Sequence, residues 1–289
     1  MGRNLRHRAI RMKINYLNDW AIELEDLNLA DVDIATAKEI VNLILSNLVV
    51  VIKNQTLTPE QEVNFCKHVG NVQYMLDPTK PKEGQRTEHL AVGDYILRVT
   101  GQKNHKGEEG LFGHTSAVDW HADQASNYDR APLIWLYGVE GTKGSKTSWL
   151  NNIASYEAMS DSLKDEIKDS KITLGYKIGS YSASKFFKEH HAEDKPFSLV
   201  YTNEAGKTGL YFPFLQILSM PGKTKDQFDD LMGRLIEHVT QPQFMYDHHW
   251  EDGDVVISDQ WLCIHKRWAY EKMADRVLHR IAFNYDNVL

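Results

Sequence analysis

A long series of short apolar runs, separated by turn-forming residues, limits the fold of this chain more than any other feature. Strand candidates lie at residues 49–52, 95–99, 132–139, 147–150, 172–178, 197–201, 210–214, 244–250, 254–257 and 280–285. Strands and helices do not alternate regularly, which disfavours a doubly wound parallel sheet. The pattern predicts a mainly β protein of the α+β class, with a double-stranded β-helix (jelly-roll) core decorated by helices.

Four helices are predicted among these strands, over residues 36–48, 57–68, 155–167 and 224–239. Their apolar residues recur at the spacing of an amphipathic helix. Two of them begin with a capping box. Thr58 is followed by Pro59 and Gln61, and Thr224 is followed by Gln227. We therefore expect both helices to begin close to these threonines.

The chain of 289 residues is expected to form one domain over residues 14–289, preceded by a flexible basic segment over residues 1–13. Residues 76–118 lack a clear pattern and run directly into the metal motif described below. They are interpreted either as a loop that covers an active site or as a surface insertion.

Charge and composition exclude several classes of protein. The net charge of -7 disfavours a nucleic-acid-binding protein. The longest apolar run, residues 48–52, is far too short to span a membrane. Only two cysteines occur, and the basic N-terminus lacks the apolar region of a secretory signal. These features predict a cytoplasmic protein.

A possible metal motif lies at His121 and Asp123. Residues two apart in an extended segment project to the same side, so both side chains can bind one ion. With 13 histidines and 40 acidic residues in the chain, this pair alone is weak evidence. His265 can supply a third ligand. Two histidines and one carboxylate leave three coordination positions open, as O2-activating non-haem Fe(II) enzymes require.

Several motifs in a fixed order resemble the taurine dioxygenase-like family of Fe(II)/2-oxoglutarate-dependent dioxygenases. The resemblance covers nearly the whole chain. Its motifs are the helix at 57–70, the segment Trp120-His121-Ala122-Asp123, the segments 146–149 and 154–160, residues 253–259 before His265, and His279-Arg280.

This resemblance implies roles for particular residues. His121, Asp123 and His265 would bind Fe(II), with 2-oxoglutarate and O2 as cosubstrates. Arg276 would bind the distal carboxylate of 2-oxoglutarate and Thr147 would add a hydroxyl, since arginine offers a rigid bidentate cation. Arg280 would lie near the oxo acid or near an anionic group of the substrate.

By the resemblance, the carboxylate at Asp123 implies hydroxylation of a C–H bond, or an outcome that starts from it, with release of succinate and CO2, because halogenating relatives have a small residue there. The substrate is expected to be a small molecule.

The substrate itself is not taurine by this comparison. The substrate-binding His and Asn of the taurine enzyme are absent here, where the chain has the segment Gln73-Tyr74-Met75 and Ala117. A more apolar, aromatic pocket is predicted, with Arg280 as an anchor for a carboxylate, sulfonate or sulfate. Its candidate residues, for which ordinary core packing is an equally good interpretation, are Tyr74, Met75, Ala117, Tyr211, Phe212 and Phe214.

Two other functional classes remain open from the sequence. A zinc hydrolase can use the same three ligands with bound water as nucleophile, but it leaves Thr147, Arg276 and Arg280 unexplained. A non-catalytic jelly-roll binding protein would tolerate damaged ligands, whereas all three are intact. Members of the family often form dimers or tetramers, so a homo-oligomer is an expectation that rests on the resemblance alone.

Overall fold

The computed structural model describes residues 12–75, 91–103, 106–107, 112–127, 129–175 and 196–286. Most of the expected flexible segment, residues 1–11, lies outside these ranges. So does much of the predicted active-site loop, namely residues 76–90, 104–105 and 108–111. Lys13, expected in the flexible segment, begins the first strand instead.

The larger of two main sheets has eight strands in the order β1-β2-β3-β15-β7-β17-β5-β4. All neighbouring pairs are antiparallel except β2 and β3, which are parallel. The strands are β1 (Lys13–Tyr16), β2 (Ala21–Glu25), β3 (Val49–Ile52), β4 (Ala91–Val92), β5 (Ile96–Thr100), β7 (Leu133–Glu140), β15 (Val255–Asp259) and β17 (Val277–Phe283).

The smaller main sheet carries most of the candidate site. It has four antiparallel strands in the order β14-β8-β16-β6. They are β6 (Val118–His121), β8 (Lys146–Asn151), β14 (Met245–His249) and β16 (Cys263–Arg267).

Within the described ranges, five helices and two small sheets cover the outer faces. The helices are α1 (Ile34–Asn47), α2 (Pro59–Val69), α3 (Asn152–Glu157), α4 (Asp161–Ile167) and α5 (Lys225–Val239). The strands are β9 (Lys171–Leu174), β10 (Phe197–Ser198), β11 (Val200–Thr202), β12 (Thr208–Leu210) and β13 (Ile217–Ser219). The described helices include none long and apolar enough to cross a membrane.

The two main sheets pack face to face, which confirms the predicted jelly-roll architecture. A core cluster between them combines Val51 and Ile134 of the larger sheet with Trp149 and Cys263 of the smaller one. A second cluster packs α1 and α2 against the outer face of the larger sheet. A third lies under α5 on the other side of the smaller sheet. Each main sheet is therefore covered on both faces, which holds its strands rigidly.

Both predicted capping boxes are present, at Thr58 with Gln61 and at Thr224 with Gln227. The helix predicted over 155–167 was wrong in one respect, because it is divided into α3 and α4. Ser160 accepts a hydrogen bond from the backbone N–H of Leu163 and so caps a new helix.

The strand predicted over 210–214 was also wrong, since β12 ends at Leu210. The residues after it form a turn in which the Gln216 N–H donates to Pro213 O. Proline lacks the N–H that a strand would use there.

Candidate metal centre

The two histidines of the candidate site lie on neighbouring strands. His121 is the last residue of β6, and His265 lies in the middle of β16. These strands pair antiparallel with His121 directly opposite His265. Their ring centroids are 4.2 Å apart. Two residues far apart in sequence are thus brought together by strand register.

Asp123 completes the cluster just beyond the end of β6. Its Oδ1 lies 3.6 Å from His121 Nε2. Ligand atoms of His121, Asp123 and His265 all lie within 4.8 Å of one another. Gln124, with φ of 54°, turns the chain away immediately afterwards. The sequence prediction that these three side chains converge is confirmed.

Hydrogen bonding fixes which nitrogen of His121 is free. Nδ1 lies 2.6 Å from the carbonyl oxygen of Asp119. A carbonyl can only accept, so Nδ1 carries the proton and Nε2 keeps a lone pair that faces Asp123. His265 Nδ1 is buried, and no described residue hydrogen-bonds to it.

The two imidazoles are held neutral. Burial lowers the pKa of His121, against the opposing charge of Asp123. Burial also lowers the pKa of His265 to about 3, and His121 adds to this effect. Since a metal binds the unprotonated imidazole, both side chains can bind an ion at neutral pH without first losing a proton.

Asp123 is held ionised by Arg280. Burial alone raises the pKa of Asp123, but Arg280, His265 and His121 outweigh it and bring the pKa well below the ordinary range. The Arg280 Nε donates to Asp123 Oδ2 over 2.8 Å. Oδ2 is therefore engaged, while Oδ1 faces His121.

These side chains fit a divalent transition-metal ion. They offer two neutral imidazoles and one carboxylate oxygen on one side of a common point. His/His/carboxylate sets of this kind are typical of non-haem Fe(II) sites, with the remaining positions open to cosubstrate and O2.

Arg276 lies beside the start of β8, and a close backbone contact fixes its position. A Cβ at Gly141 would lie 2.1 Å from Asp275 O, so only glycine allows the turn before β8 to approach this segment. The Arg276 Nε donates to Ser145 Oγ over 3.3 Å. Ser145 ends the turn before β8, two residues before Thr147. Arg276 therefore lies close to the start of the strand that carries Thr147.

Arg276 is a buried cation whose capacity to donate hydrogen bonds is not fully used. It is 2% exposed. Its Nη1 has no hydrogen-bond partner among the described residues. Burial and the nearby Arg267 lower its pKa to about 9, so it still carries its charge at neutral pH. A buried, charged donor without a carboxylate partner is suited to an incoming anion.

The Thr147 hydroxyl is oriented by Trp250. The indole Nε1 of Trp250 donates to Thr147 Oγ1 over 2.9 Å. One lone pair of the hydroxyl is thereby occupied, and its proton remains available for an acceptor. Sequence reasoning missed both Trp250 and Ser145. Ser145 could have been found from its spacing of two residues from Thr147, whereas nothing in the sequence links Trp250 to that threonine.

The residues predicted to bind substrate do not form one group. Tyr211 and Phe212 are fully buried in the cluster beneath α5, and Phe214 packs half-buried against Phe212. Tyr74 is 50% exposed and stacks on Tyr95. Ala117 is exposed and Met75 half-buried. Their part in substrate binding stays a prediction.

A family model described as "Taurine catabolism dioxygenase TauD, TfdA family" matches residues 13–282. The chain belongs to the TauD/TfdA family. Like the α-ketoglutarate-dependent members that it matches, it is a 2-oxoglutarate-dependent dioxygenase, with Fe(II) as its metal and O2 as second cosubstrate.

Individual relatives in the TauD/TfdA family are distant but match over nearly the full chain. The α-ketoglutarate-dependent 2,4-dichlorophenoxyacetate dioxygenase of Cupriavidus pinatubonensis is 23% identical, over 90% of this chain and 93% of that protein. Pentalenolactone F synthase of Streptomyces arenae is 21% identical, over 89% of each. The crystal structure of AAD-2 in complex with Mn(II) and N-oxalylglycine superposes with a TM-score of 0.73 at 21% identity, over 96% of this chain and 98% of that one.

Proposed function

We propose that this TauD/TfdA-family protein hydroxylates a C–H bond of a small anionic substrate, using His121, Asp123 and His265 to hold Fe(II). The observation that carries the proposal is the convergence of these three side chains at one point, with the buried Arg280 hydrogen-bonded to Asp123. Bound Fe(II), together with 2-oxoglutarate and O2, supplies the oxidising chemistry and releases succinate and CO2.

In this proposal Arg276 and Thr147 bind the distal carboxylate of 2-oxoglutarate. The Nη1 of Arg276 has no hydrogen-bond partner among the described residues, and the Thr147 hydroxyl, which accepts from Trp250, can donate its own proton. Burial strengthens such charge-assisted hydrogen bonds, because water does not compete for the donors.

Arg280 is assigned two tasks. Its Nε holds Asp123 Oδ2, which leaves Oδ1 for the metal. Its terminal amino groups hydrogen-bond to no described residue. They can therefore donate hydrogen bonds to an anionic group of the oxo acid or of the substrate. Guanidinium geometry favours a carboxylate, sulfonate or sulfate as that group.

The predicted aromatic residues Tyr211, Phe212 and Phe214 belong to the cluster beneath α5. Phe214 packs against both Phe212 and Trp120, the residue before His121. Trp120 and His121 are consecutive residues of β6 and project to opposite faces, so these aromatic side chains lie on the face of the smaller sheet opposite the metal ligands. The Cupriavidus relative is named for 2,4-dichlorophenoxyacetate, an aromatic carboxylate. We infer that a small apolar or aromatic carboxylate or sulfonate is the substrate class of this chain.

The proposal treats residues 14–289 as one domain in the cytoplasm. Strands from both halves of the chain build the site, so neither half contains it alone. Both cysteines, Cys66 and Cys263, are unpaired and buried, as expected in a reducing compartment.

The experiment is to measure succinate formed from 2-oxoglutarate with Fe(II) and O2, in the presence of a panel of small carboxylates, sulfonates and sulfates. Neutral analogues of the same compounds serve as controls for the negative charge. We expect at least one anion to stimulate succinate formation and to yield a hydroxylated product in equal amount. The Asp123→Ala variant should form neither.

Two results would count against the proposal. If neutral analogues stimulate succinate formation and no anion does, the substrate is not an anion. Hydrolysis of a substrate with Zn(II) alone, without consumption of 2-oxoglutarate, would favour a zinc hydrolase.

A further inference from the structure

The backbone that carries Asp123 continues past the sheet that positions His121. His121 is the last residue of β6, and His265↔His121 is the last pair of its ladder with β16. Ala122 is nevertheless fully buried. Buried backbone N–H and C=O groups require hydrogen-bond partners. The segment between two metal ligands must therefore obtain partners from somewhere other than a strand.

Gln216 supplies both partners for Ala122. Its Oε1 accepts from the Ala122 N–H over 3.0 Å, and its Nε2 donates to the Ala122 carbonyl over 2.9 Å. A carboxamide carries the same donor and acceptor as a peptide group. The Gln216 side chain thus pairs with Ala122 as a neighbouring strand would.

Gln216 is itself held in place. It is 2% exposed and precedes β13. Its N–H donates to Pro213 O over 2.8 Å, and its carbonyl accepts from the Gly175 N–H over 2.9 Å. The neighbouring Leu215 N–H reaches Trp120 O over 3.2 Å. The side chain therefore projects from a fixed backbone toward the metal motif.

A second buried glutamine holds the next residue. Gln260 is fully buried, and its Oε1 accepts from the Asp123 N–H over 2.9 Å. Its own N–H donates to Pro132 O over 2.8 Å. Gln216 and Gln260 together satisfy the backbone of Ala122 and the N–H of Asp123 from two different elements.

We infer that Gln216 is a positioning residue for the metal centre, with Gln260 as its partner, so that the two amides set the distance and direction between His121 and Asp123. Neither side chain needs to touch the ion. The backbone between the ligands determines where their side chains point, and residues that orient metal ligands in this way typically change metal affinity by about 10- to 100-fold when replaced. The inference rests on the metal site of the proposed function.

The chain offers a matched control in Gln55. This buried glutamine also clamps a backbone segment with both ends of its amide. Its Oε1 accepts from the Leu29 N–H over 2.9 Å, and its Nε2 donates to Leu27 O over 2.9 Å. It lies against the outer cluster beneath α1 and α2 rather than beside the metal ligands. Loss of its amide should lower the stability of the fold and leave metal binding unchanged.

The test compares Gln216→Met and Gln55→Met in the full-length protein. Methionine keeps the length of the side chain and removes its hydrogen bonds. Dissociation constants for Co(II) are measured anaerobically by calorimetry, the visible spectrum of the bound Co(II) reports ligand geometry, and thermal unfolding of the metal-free protein reports stability. For Gln216→Met we expect Co(II) to bind about 10-fold or more weakly with an altered spectrum. For Gln55→Met we expect a lower unfolding temperature with the wild-type affinity and spectrum.

Wild-type Co(II) affinity and spectrum in Gln216→Met would overturn the inference, and so would an equal loss of affinity in Gln55→Met. Should Gln216→Met fail to fold, Gln260→Met removes the bond to Asp123 and a longer one of 3.3 Å to the Asp259 carbonyl, and leaves both bonds to Ala122 intact. An unchanged affinity and spectrum in that variant would overturn the inference as well. Failure of the wild-type protein to bind Co(II) would instead contradict the metal site of the proposed function.

Discussion

At the scale of single residues, the candidate site contains buried polar groups that lack some of their hydrogen-bond partners among the described residues. Arg276 and Thr147 each keep one donor for a group that the described protein does not supply. Their proposed roles rest on the resemblance, in which the residue types and their order match. The sequence could not predict which donor atoms of Arg276 and Thr147 lack a protein partner, because that depends on their contacts with Ser145 and Trp250.

The first prediction concerns Arg276. The Arg276→Gln variant removes the cation and should raise the KM for 2-oxoglutarate by roughly 30-fold or more, since a buried charged hydrogen bond contributes about 2 kcal/mol or more. Affinity for 2-oxobutanoate, which lacks the distal carboxylate, should stay unchanged. Equal losses for both acids in equilibrium titrations would show that Arg276 does not bind that carboxylate.

The second prediction concerns the orientation of Thr147. The Trp250→Phe variant frees the hydroxyl to rotate and should raise the KM for 2-oxoglutarate by about 5-fold, which corresponds to one neutral hydrogen bond of about 1 kcal/mol. The kcat at saturating 2-oxoglutarate should be unchanged.

Trp268→Phe is the matched control for Trp250→Phe. The Trp268 indole donates to Ser148 Oγ over 2.6 Å, on the opposite face of β8 from Thr147. Steady-state kinetics should show no change in KM for this variant. A rise in KM for Trp268→Phe as large as that for Trp250→Phe would contradict the assigned orientation of Thr147.

At the scale of elements, the sequence predicted the first residues of capped helices better than the last residues of helices and strands. The caps of α2 and α5 were expected from Thr58 and Thr224, because capping is a local interaction of four residues. The break between α3 and α4 was missed, because Ser160 is also compatible with a continuous helix. The end of β12 at Leu210 was missed because the following apolar residues pack in a turn rather than in a strand.

The turn between β15 and β16 leads to a prediction about pH. Asp259 is buried there, and it accepts the N–H groups of Trp261 and Leu262. Burial outweighs these bonds and raises the pKa of Asp259 to about 6. Between pH 4 and 6 the unfolded chain loses this proton while the folded protein keeps it. The carboxyl group of Asp259 therefore lowers stability as pH rises through this range, and the deficit is complete above pH 6.

The Asp259→Asn variant should accordingly gain stability relative to wild type as pH rises. We expect the difference in the free energy of unfolding to shift by about 2 kcal/mol in favour of the variant between pH 4.5 and 7.5. Urea unfolding at several pH values measures it, with the exposed Asp169→Asn as control for loss of one charge. A difference that stays constant with pH would contradict the raised pKa of Asp259.

At the scale of the whole molecule, the site depends on the closure of two sheets. His121 and His265 are joined by register within the smaller sheet, while Arg280 reaches Asp123 from the larger one. The series of short apolar runs separated by turn residues predicted the fold class. It could not predict register, because pairing between distant strands depends on the packing of both sheets around residues such as Trp149.

Binding of metal should therefore stabilise the whole fold. Saturating Mn(II) with 2-oxoglutarate should raise the unfolding temperature by roughly 5 °C, since a ligand at 100 times its Kd contributes about 2.7 kcal/mol. The His265→Ala variant should lose this shift. A shift of full size in His265→Ala, measured by scanning fluorimetry, would place the metal elsewhere.

The most direct test of the central claim is the visible absorption spectrum of the protein with Fe(II) and 2-oxoglutarate, recorded without oxygen. A 2-oxo acid chelated to Fe(II) gives a weak metal-to-ligand charge-transfer band. We predict this band for the wild-type protein, its absence in His121→Ala, and a weaker band at equal 2-oxoglutarate in Arg276→Gln. Absence of the band in folded, iron-loaded wild-type protein would contradict the assignment of the site.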